Sequence, residues 1–247
     1  MSDDMLIWFE IGFNVLYLVV VWGLVIAMLR KRSAVSSENR KAADITLVAF
    51  ALLALGDSGH VGFRILAYSI GSLESKVAFL GEQWSLVAIG TIMTAITVTI
   101  FYVLMLELWR IRFNQRYGWF EYLLLGAVGV RFLLMLLPQN DWNQIVPVQP
   151  WVTLRNLPFF FAGFGIAYLM IRDARKVQDR NFVWIGYCIL ISFACYIPVI
   201  LFVQQVPMLG MLMIPKTVAY VVIGFLAYNA LYTRIDADLP VPEESMV

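Results

Sequence analysis

Charge, histidine and cysteine are all scarce in this chain, and each shortage excludes a class of function. Only 14% of its 247 residues are charged, against about a quarter in ordinary soluble domains. The net charge of +1 offers no basic footprint for nucleic acid, and the basic residues fall mostly in loops. His60 is the only histidine and no thiolates cluster, so a metal site drawn from Glu10, Asp57, His60 and Glu82 carries little signal. Neither metal nor cofactor is expected. Cys188 and Cys195 lie in one apolar run, too far apart along a helix to bridge, and read as small packing residues.

What the chain has in excess is apolar surface. Hydrophobic residues make up 61% and the mean hydropathy is +0.79, arranged in runs near the ~20 residues that a bilayer-crossing helix needs. The expected fold class is all-α: a polytopic membrane protein built as a seven-transmembrane-helix bundle. It forms one domain over 1–232, followed by a short acidic, proline-containing tail over 233–247 that is expected to be disordered. The spans are expected at about 5–29, 45–70, 83–109, 119–137, 151–171, 182–204 and 209–232. Met1-Ser2-Asp3-Asp4 has no basic n-region, so the first run reads as a retained helix and not as a cleaved signal. Arg30, Lys31, Arg32, Arg40 and Lys41 follow the first span, and Arg110, Arg112 and Arg116 the third. Arg172, Arg175, Lys176 and Arg180 follow the fifth, and Arg234 the seventh. The opposite side has Lys76 alone. By the positive-inside rule the N-terminus is outside and the C-terminus cytoplasmic, in a cell membrane crossed several times.

Against that apolar background stands Gly56-Asp57-Ser58-Gly59-His60-Val61-Gly62-Phe63-Arg64. On a helix Asp57 and Arg64 nearly eclipse, with His60 about 60° to one side. Gly59 and Gly62 fall opposite, where a neighbouring backbone is expected to pack closely. An acid and an imidazole three residues apart can meet, so His60 is the expected partner of Asp57. Each ionisable group at membrane depth costs roughly 3 kcal/mol on insertion scales, which makes the trio a site hypothesis.

Arg131, Arg155 and Lys216 also lie within spans, and at about 1.5 Å per residue all three fall with Arg64 in the outer half. Asp57 is near mid-membrane, Glu10 below the outer surface and Glu82 at the outer mouth of the third span, leaving Glu107 alone in the inner half. Pro158, Pro198 and Pro215 are placed in the outer halves of the last three spans, where each removes a helix hydrogen bond and invites a kink. Together these features imply a cavity open to the outside. The loop from Pro138 to Pro150 brings Asn140 and Trp142, as a cap over that cavity or as an interfacial anchor. Arg155-Asn156 follows as a wall. Glu10, Asn14 and Tyr17 share one face of the first span. Thr91, Thr94 and Thr97 share a face of the third, lining the cavity or bonding their own backbone carbonyls.

The pieces Gly56-Asp57-x-x-His60-x-x-x-Arg64, Pro138-Gln139-Asn140-x-Trp142 and Arg155-Asn156-x-Pro158-Phe159 resemble a group of bacterial multi-span membrane proteins over most of the chain. No activity is attached to that group, so the resemblance implies a bacterial membrane protein and nothing about its chemistry. A microbial-rhodopsin reading, suggested by Lys216 in the last span, fails: Leu212 stands where that family places an acid.

The expected function is a ligand pocket in the outer half, built from Glu10, Asn14, Asp57, His60, Arg64, Arg131, Asn140, Arg155, Asn156 and Lys216. Cations outnumber acids there, which favours an anionic or amphiphilic small molecule or a lipid headgroup, in a sensor or lipid-binding protein. Lys216 is expected to face inward and approach Asp57 or Glu10. Arg64, Arg131 and Arg155 are expected to gather about one anion. One alternative is an intramembrane hydrolase or transferase acting on a lipid-like substrate, with Asp57 and His60 as catalytic candidates and Ser85, Ser192 or Thr94 as hydroxyl, though no nucleophile elbow is visible. A small-solute transporter would need a polar path through the inner half as well. A purely structural network fixing helix packing is the remaining reading. The lipid bilayer is the only other partner indicated.

Overall fold

The apolar runs fold as helices. The computed structural model describes residues 3–70, 72–79 and 81–233, with the side chains of residues 3–10 and 79 outside the description. In chain order these form α1 (Asp3–Lys31), α2 (Arg40–Ser69), a hairpin of β1 (Lys76–Phe79) and β2 (Glu82–Ser85), and α3 (Leu86–Arg112). Then come α4 (Trp119–Met135), α5 (Trp151–Lys176), α6 (Arg180–Phe202) and α7 (Met213–Tyr232). Short 3₁₀ turns occupy Arg32–Ala34, Pro138–Asn140 and Pro207–Leu212. Six stretches are long and apolar enough to cross a membrane: Ile11–Ala34, Arg40–Ser69, Leu86–Arg112, Trp151–Lys176, Arg180–Phe202 and Pro207–Tyr232. The architecture is that of a nearly all-helical, multi-pass membrane protein. With 17 residues, α4 is not among the six. The tail, Arg234 included, lies outside the described residues.

Three details depart from the sequence reading. The third helix starts later than 83, because Glu82 to Ser85 pair antiparallel with Lys76 to Phe79 around Gly81 at φ +85°, a conformation glycine adopts without strain. Glu82 is therefore exposed on a strand and not at the mouth of a helix. Pro215 lies in the first turn of α7, where its missing N–H has no intrahelical acceptor to leave unpaired; Pro158 and Pro198 do sit inside helices. Nor is Glu107 the only acid in its half. Glu121 and Asp173 are buried there, and Glu121 accepts the Gly118 N–H at 2.8 Å to cap α4.

The bundle has two unlike ends. The α1–α2, α3–α4 and α5–α6 connections meet at a basic end where several of the charges are paired. Arg112 donates at 2.7 Å to Asp179, at the start of α6, and at 2.7 Å to Asn39, just before α2. Arg172 and Lys176 pair with the buried Asp173, which also accepts the Trp109 indole N–H at 3.0 Å. Glu107 takes both Arg110 and the Tyr117 hydroxyl; burial, then that carboxylate, holds the Tyr117 phenol above the ordinary tyrosine range. The hairpin, the 136–150 loop and the α6–α7 connection meet at the other end, termed here the hairpin end.

Between the ends the interior is apolar, with Met28, Phe50, Phe101, Met105 and Leu106 at most 1% exposed. Helices α2 and α3 pack through glycines: a Cβ on Gly90 would lie 2.9 Å from His60 Cα, and one on Gly56 only 1.8 Å from Thr97 Oγ1. Gly59 faces Met93 in the same seam, whereas Gly62 has nothing within 4 Å and takes no part in it. Leu16, Val19, Leu133, Leu136 and Phe225 are more than half exposed, as a surface facing lipid tails requires.

Candidate functional site

Asp57 lies midway along α2 and is met by hydroxyls from both neighbouring helices. Tyr17 donates to its Oδ2 at 2.6 Å. Thr94 donates to the Gly56 carbonyl at 2.9 Å and stands 3.4 Å from Asp57 Oδ1. The expected pairing with His60 is not made: the acceptor positions of Asp57 go to α1 and α3, and His60 Nδ1 is buried without a hydrogen-bond partner. Thr91 and Thr97 bond carbonyls of their own helix, those of Val87 at 2.8 Å and Met93 at 2.9 Å. Only Thr94 of the three turns toward the acid. Asn14 is half-buried one turn before Tyr17, and Arg64 half-buried one turn beyond His60. The side chain of Glu10 lies outside the description.

Arg131 on α4 and Arg155 on α5 are buried, at 3% and 7% exposure. Neither meets a carboxylate among the described residues. Arg131 Nη1 donates to Asn156 Oδ1 at 3.1 Å, and Arg155 Nη1 to Asn140 Oδ1 at 2.8 Å. Both amides are held in turn by their nitrogens, Asn156 on the Val152 carbonyl at 2.7 Å and Asn140 on the Leu134 and Leu137 carbonyls at 2.6 and 2.9 Å. Each guanidinium also covers an aromatic face, Arg131 at 3.8 Å from the Phe159 centroid and Arg155 at 4.1 Å from that of Trp142. Such contacts contribute about 2 kcal/mol when desolvated. Arg131 Nε is buried with no hydrogen-bond partner.

Lys216 faces the interior from α7, near enough to Asp57 to interact with it electrostatically but not in an ion pair with it. Its ammonium stands 4.4 Å from the Tyr196 ring centroid and 5.7 Å from that of Tyr220; among the described residues no carboxylate is within ion-pairing distance. The quadrupoles of the two rings take the place that a carboxylate was expected to fill. Tyr196 ties this lysine to Arg131, since its hydroxyl stands 3.5 Å from Asn156 Oδ1, while Tyr220 shares a hydroxyl contact of 3.2 Å with Tyr102. Arg131 is close enough to act electrostatically on Arg155 and on Lys216. Lys216 in turn feels Asp57. Every helix thus sends a polar group into this half: Tyr17, Asp57, Thr94, Arg131, Asn156, Tyr196 and Lys216.

The 136–150 loop closes the end. Trp142 donates to the Met135 carbonyl at 3.1 Å, Asn143 accepts the Ser85 N–H of β2 at 2.9 Å, and Gln149 donates to the Ile200 carbonyl of α6 at 2.9 Å. The loop is pinned on both sides, with Trp142 stacked on Arg155 and not lying free at an interface. Two grooves of about 570 and 430 Å³ run along the outside of α1 and α2, lined by residues such as Val19, Trp22 and Val61 in one and Leu29 and Leu47 in the other. The cations line neither. Among the described residues no three His, Cys, Asp or Glu side chains are grouped to hold a metal ion.

Sequence reasoning located the charged members of this site and, of the aromatic ones, Tyr17 and Trp142. It assigned no role to Phe159, Tyr196 or Tyr220, although Tyr220 stands one turn after Lys216 and that spacing was a usable signal. No protein-family model, curated protein or solved structure matches this chain, and its chemistry is read from these residues alone.

Proposed function

We propose that the protein crosses the membrane seven times, with α4 as the additional span, the N-terminus outside and the C-terminus cytoplasmic. We further propose that its hairpin-end half holds an anionic or amphiphilic small ligand or lipid headgroup, as a sensor or lipid-binding protein does. The observation that carries this reading is the pair Arg131 and Arg155, both buried and, among the described residues, held by amide oxygens and ring faces without a carboxylate. A buried charge left without an opposite charge is strongly destabilising, by about 3–5 kcal/mol where one partner of a pair is removed. An anion between them would supply what the described side chains do not.

The other readings have less support. Asp57 is engaged by Tyr17 and Thr94 and not by His60, so the acid–imidazole unit of a hydrolase is not assembled. The half nearer the basic end is filled by Phe50, Phe101, Met105 and Leu106, which leaves little for a transported polar solute to touch.

The test is mass spectrometry of what copurifies in mild detergent. The parent should retain an anion, and Arg131→Gln or Arg155→Gln should lower its recovery about tenfold, the effect of losing ~1.4 kcal/mol of binding, while thermal stability in detergent stays near the parent's. Variants that fail to fold, together with a parent that never carries an anion, would mean that the network serves helix packing alone.

A further inference from the structure

We infer that the group this site holds is a dianion of the phosphomonoester type and not a singly charged carboxylate; the inference rests on the anion-binding reading above. The first argument is charge. Arg131 and Lys216 converge through Asn156 and Tyr196, Arg155 stands close enough to Arg131 to act on it electrostatically, and the described carboxylate that acts on this group is Asp57. That leaves an excess of two positive charges. A monocarboxylate would neutralise half of the excess, whereas a phosphomonoester carries about −1.5 to −2 at neutral pH.

The second argument is the number and direction of donors. A guanidinium has five N–H groups in a fixed fork. For Arg131 the described partner is the Asn156 oxygen on Nη1, while Nε is buried and unpartnered. For Arg155 it is the Asn140 oxygen, again on Nη1. The amide nitrogens of Asn140 and Asn156 are both committed to backbone carbonyls, so their oxygens are fixed as neutral acceptors that orient each fork without discharging it. One carboxylate satisfies one fork edge. A phosphate presents three terminal oxygens and can take donors from two guanidiniums and an ammonium together. The same chemistry is offered by a phosphatidic-acid headgroup or by a free phosphate.

The experiment uses the full chain at pH 8, purified without phosphate, and follows its thermal midpoint. Two arms separate the sources: inorganic phosphate against acetate in detergent, and nanodiscs containing phosphatidic acid against phosphatidylglycerol. The expected result is a midpoint raised by several degrees by phosphate, or by phosphatidic acid where free phosphate has no effect. Acetate and phosphatidylglycerol should give no comparable rise. The rise should vanish in Arg131→Gln and Arg155→Gln and be partly kept in Arg131→Lys, which holds the charge and loses the fork. Where the Gln variants do not fold, Lys216→Met should still reduce it. Equal stabilisation by the singly charged anions would overturn the dianion and leave the anion site standing. Stabilisation by none of the four would overturn both.

Discussion

Arg131 and Arg155 each rest on a carboxamide where an interior ion pair would present a carboxylate. The difference is chemical and not merely geometric, because Asn orients a guanidinium but leaves its charge in place. Asn156→Asp should therefore stabilise the empty protein and, by discharging Arg131 internally, abolish anion retention. Equal retention by this variant would show that the charge on Arg131 is not what holds the ligand. On the other side of the site, Tyr17→Phe removes a 2.6 Å hydrogen bond to Asp57 and should destabilise by about 1–3 kcal/mol, read as a lower thermal midpoint in detergent; an unchanged midpoint would mean that this bond contributes nothing. Polar residues inside apolar runs were conspicuous in the sequence, which is why Asp57, His60, Arg131, Arg155, Asn156 and Lys216 were all visible there. Which of them meet which partners was not. Helical spacing gives the angle between Asp57 and His60 on one helix, but Tyr17 and Thr94 arrive from two others, and nothing local to α2 announces them.

The α2–α3 pair is the most restrictive contact among the elements, since it is backbone against backbone. A methyl on Gly90 would meet His60 Cα at 2.9 Å and the Gly59 carbonyl at 3.0 Å, and backbone cannot rotate away as a side chain can. Gly90→Ala should cost about 1–3 kcal/mol as overpacking. Gly62→Ala, with nothing within 4 Å, should be nearly neutral. Equal midpoints for the two would contradict the seam. The helices themselves were legible because each long apolar run is bounded by charged or turn-forming residues. The hairpin was not. Its strands have four residues each, and the run Glu82-Gln83-Trp84-Ser85 passes straight into the apolar start of α3, so a span-length window absorbs it. The glycine at 81 was the single local mark of the turn.

At the scale of the whole molecule, carboxylates pair with several cations at one end, while Arg131, Arg155 and Lys216 in the other half meet none among the described residues. Arg112–Asp179, Arg172–Asp173 and Arg110–Glu107 neutralise part of the basic end, and no comparable ion pair forms at Arg131, Arg155 or Lys216 among the described residues. The distribution of basic loops was plain in the sequence; which of them are neutralised was not, since Asp173 and Asp179 lie beside several cations in sequence and nothing local selects the one each pairs with. Reporter fusions should place the C-terminus in the cytoplasm, and an outside location would reverse the side from which the anion arrives. One consequence concerns the bilayer itself. At 17 residues and about 1.5 Å per residue, α4 reaches only about 26 Å, short of the ~30 Å hydrocarbon core. If it crosses as the proposed seventh span it imposes a hydrophobic mismatch, and lipid relieves mismatch by thinning. Headgroups would then dip along the flank that carries Arg131, opening a lateral route from the leaflet that the pinned 136–150 loop does not guard. Anion capture from bilayers of short-chain lipids should exceed that from long-chain ones, and capture indifferent to chain length would leave the end of the bundle as the way in.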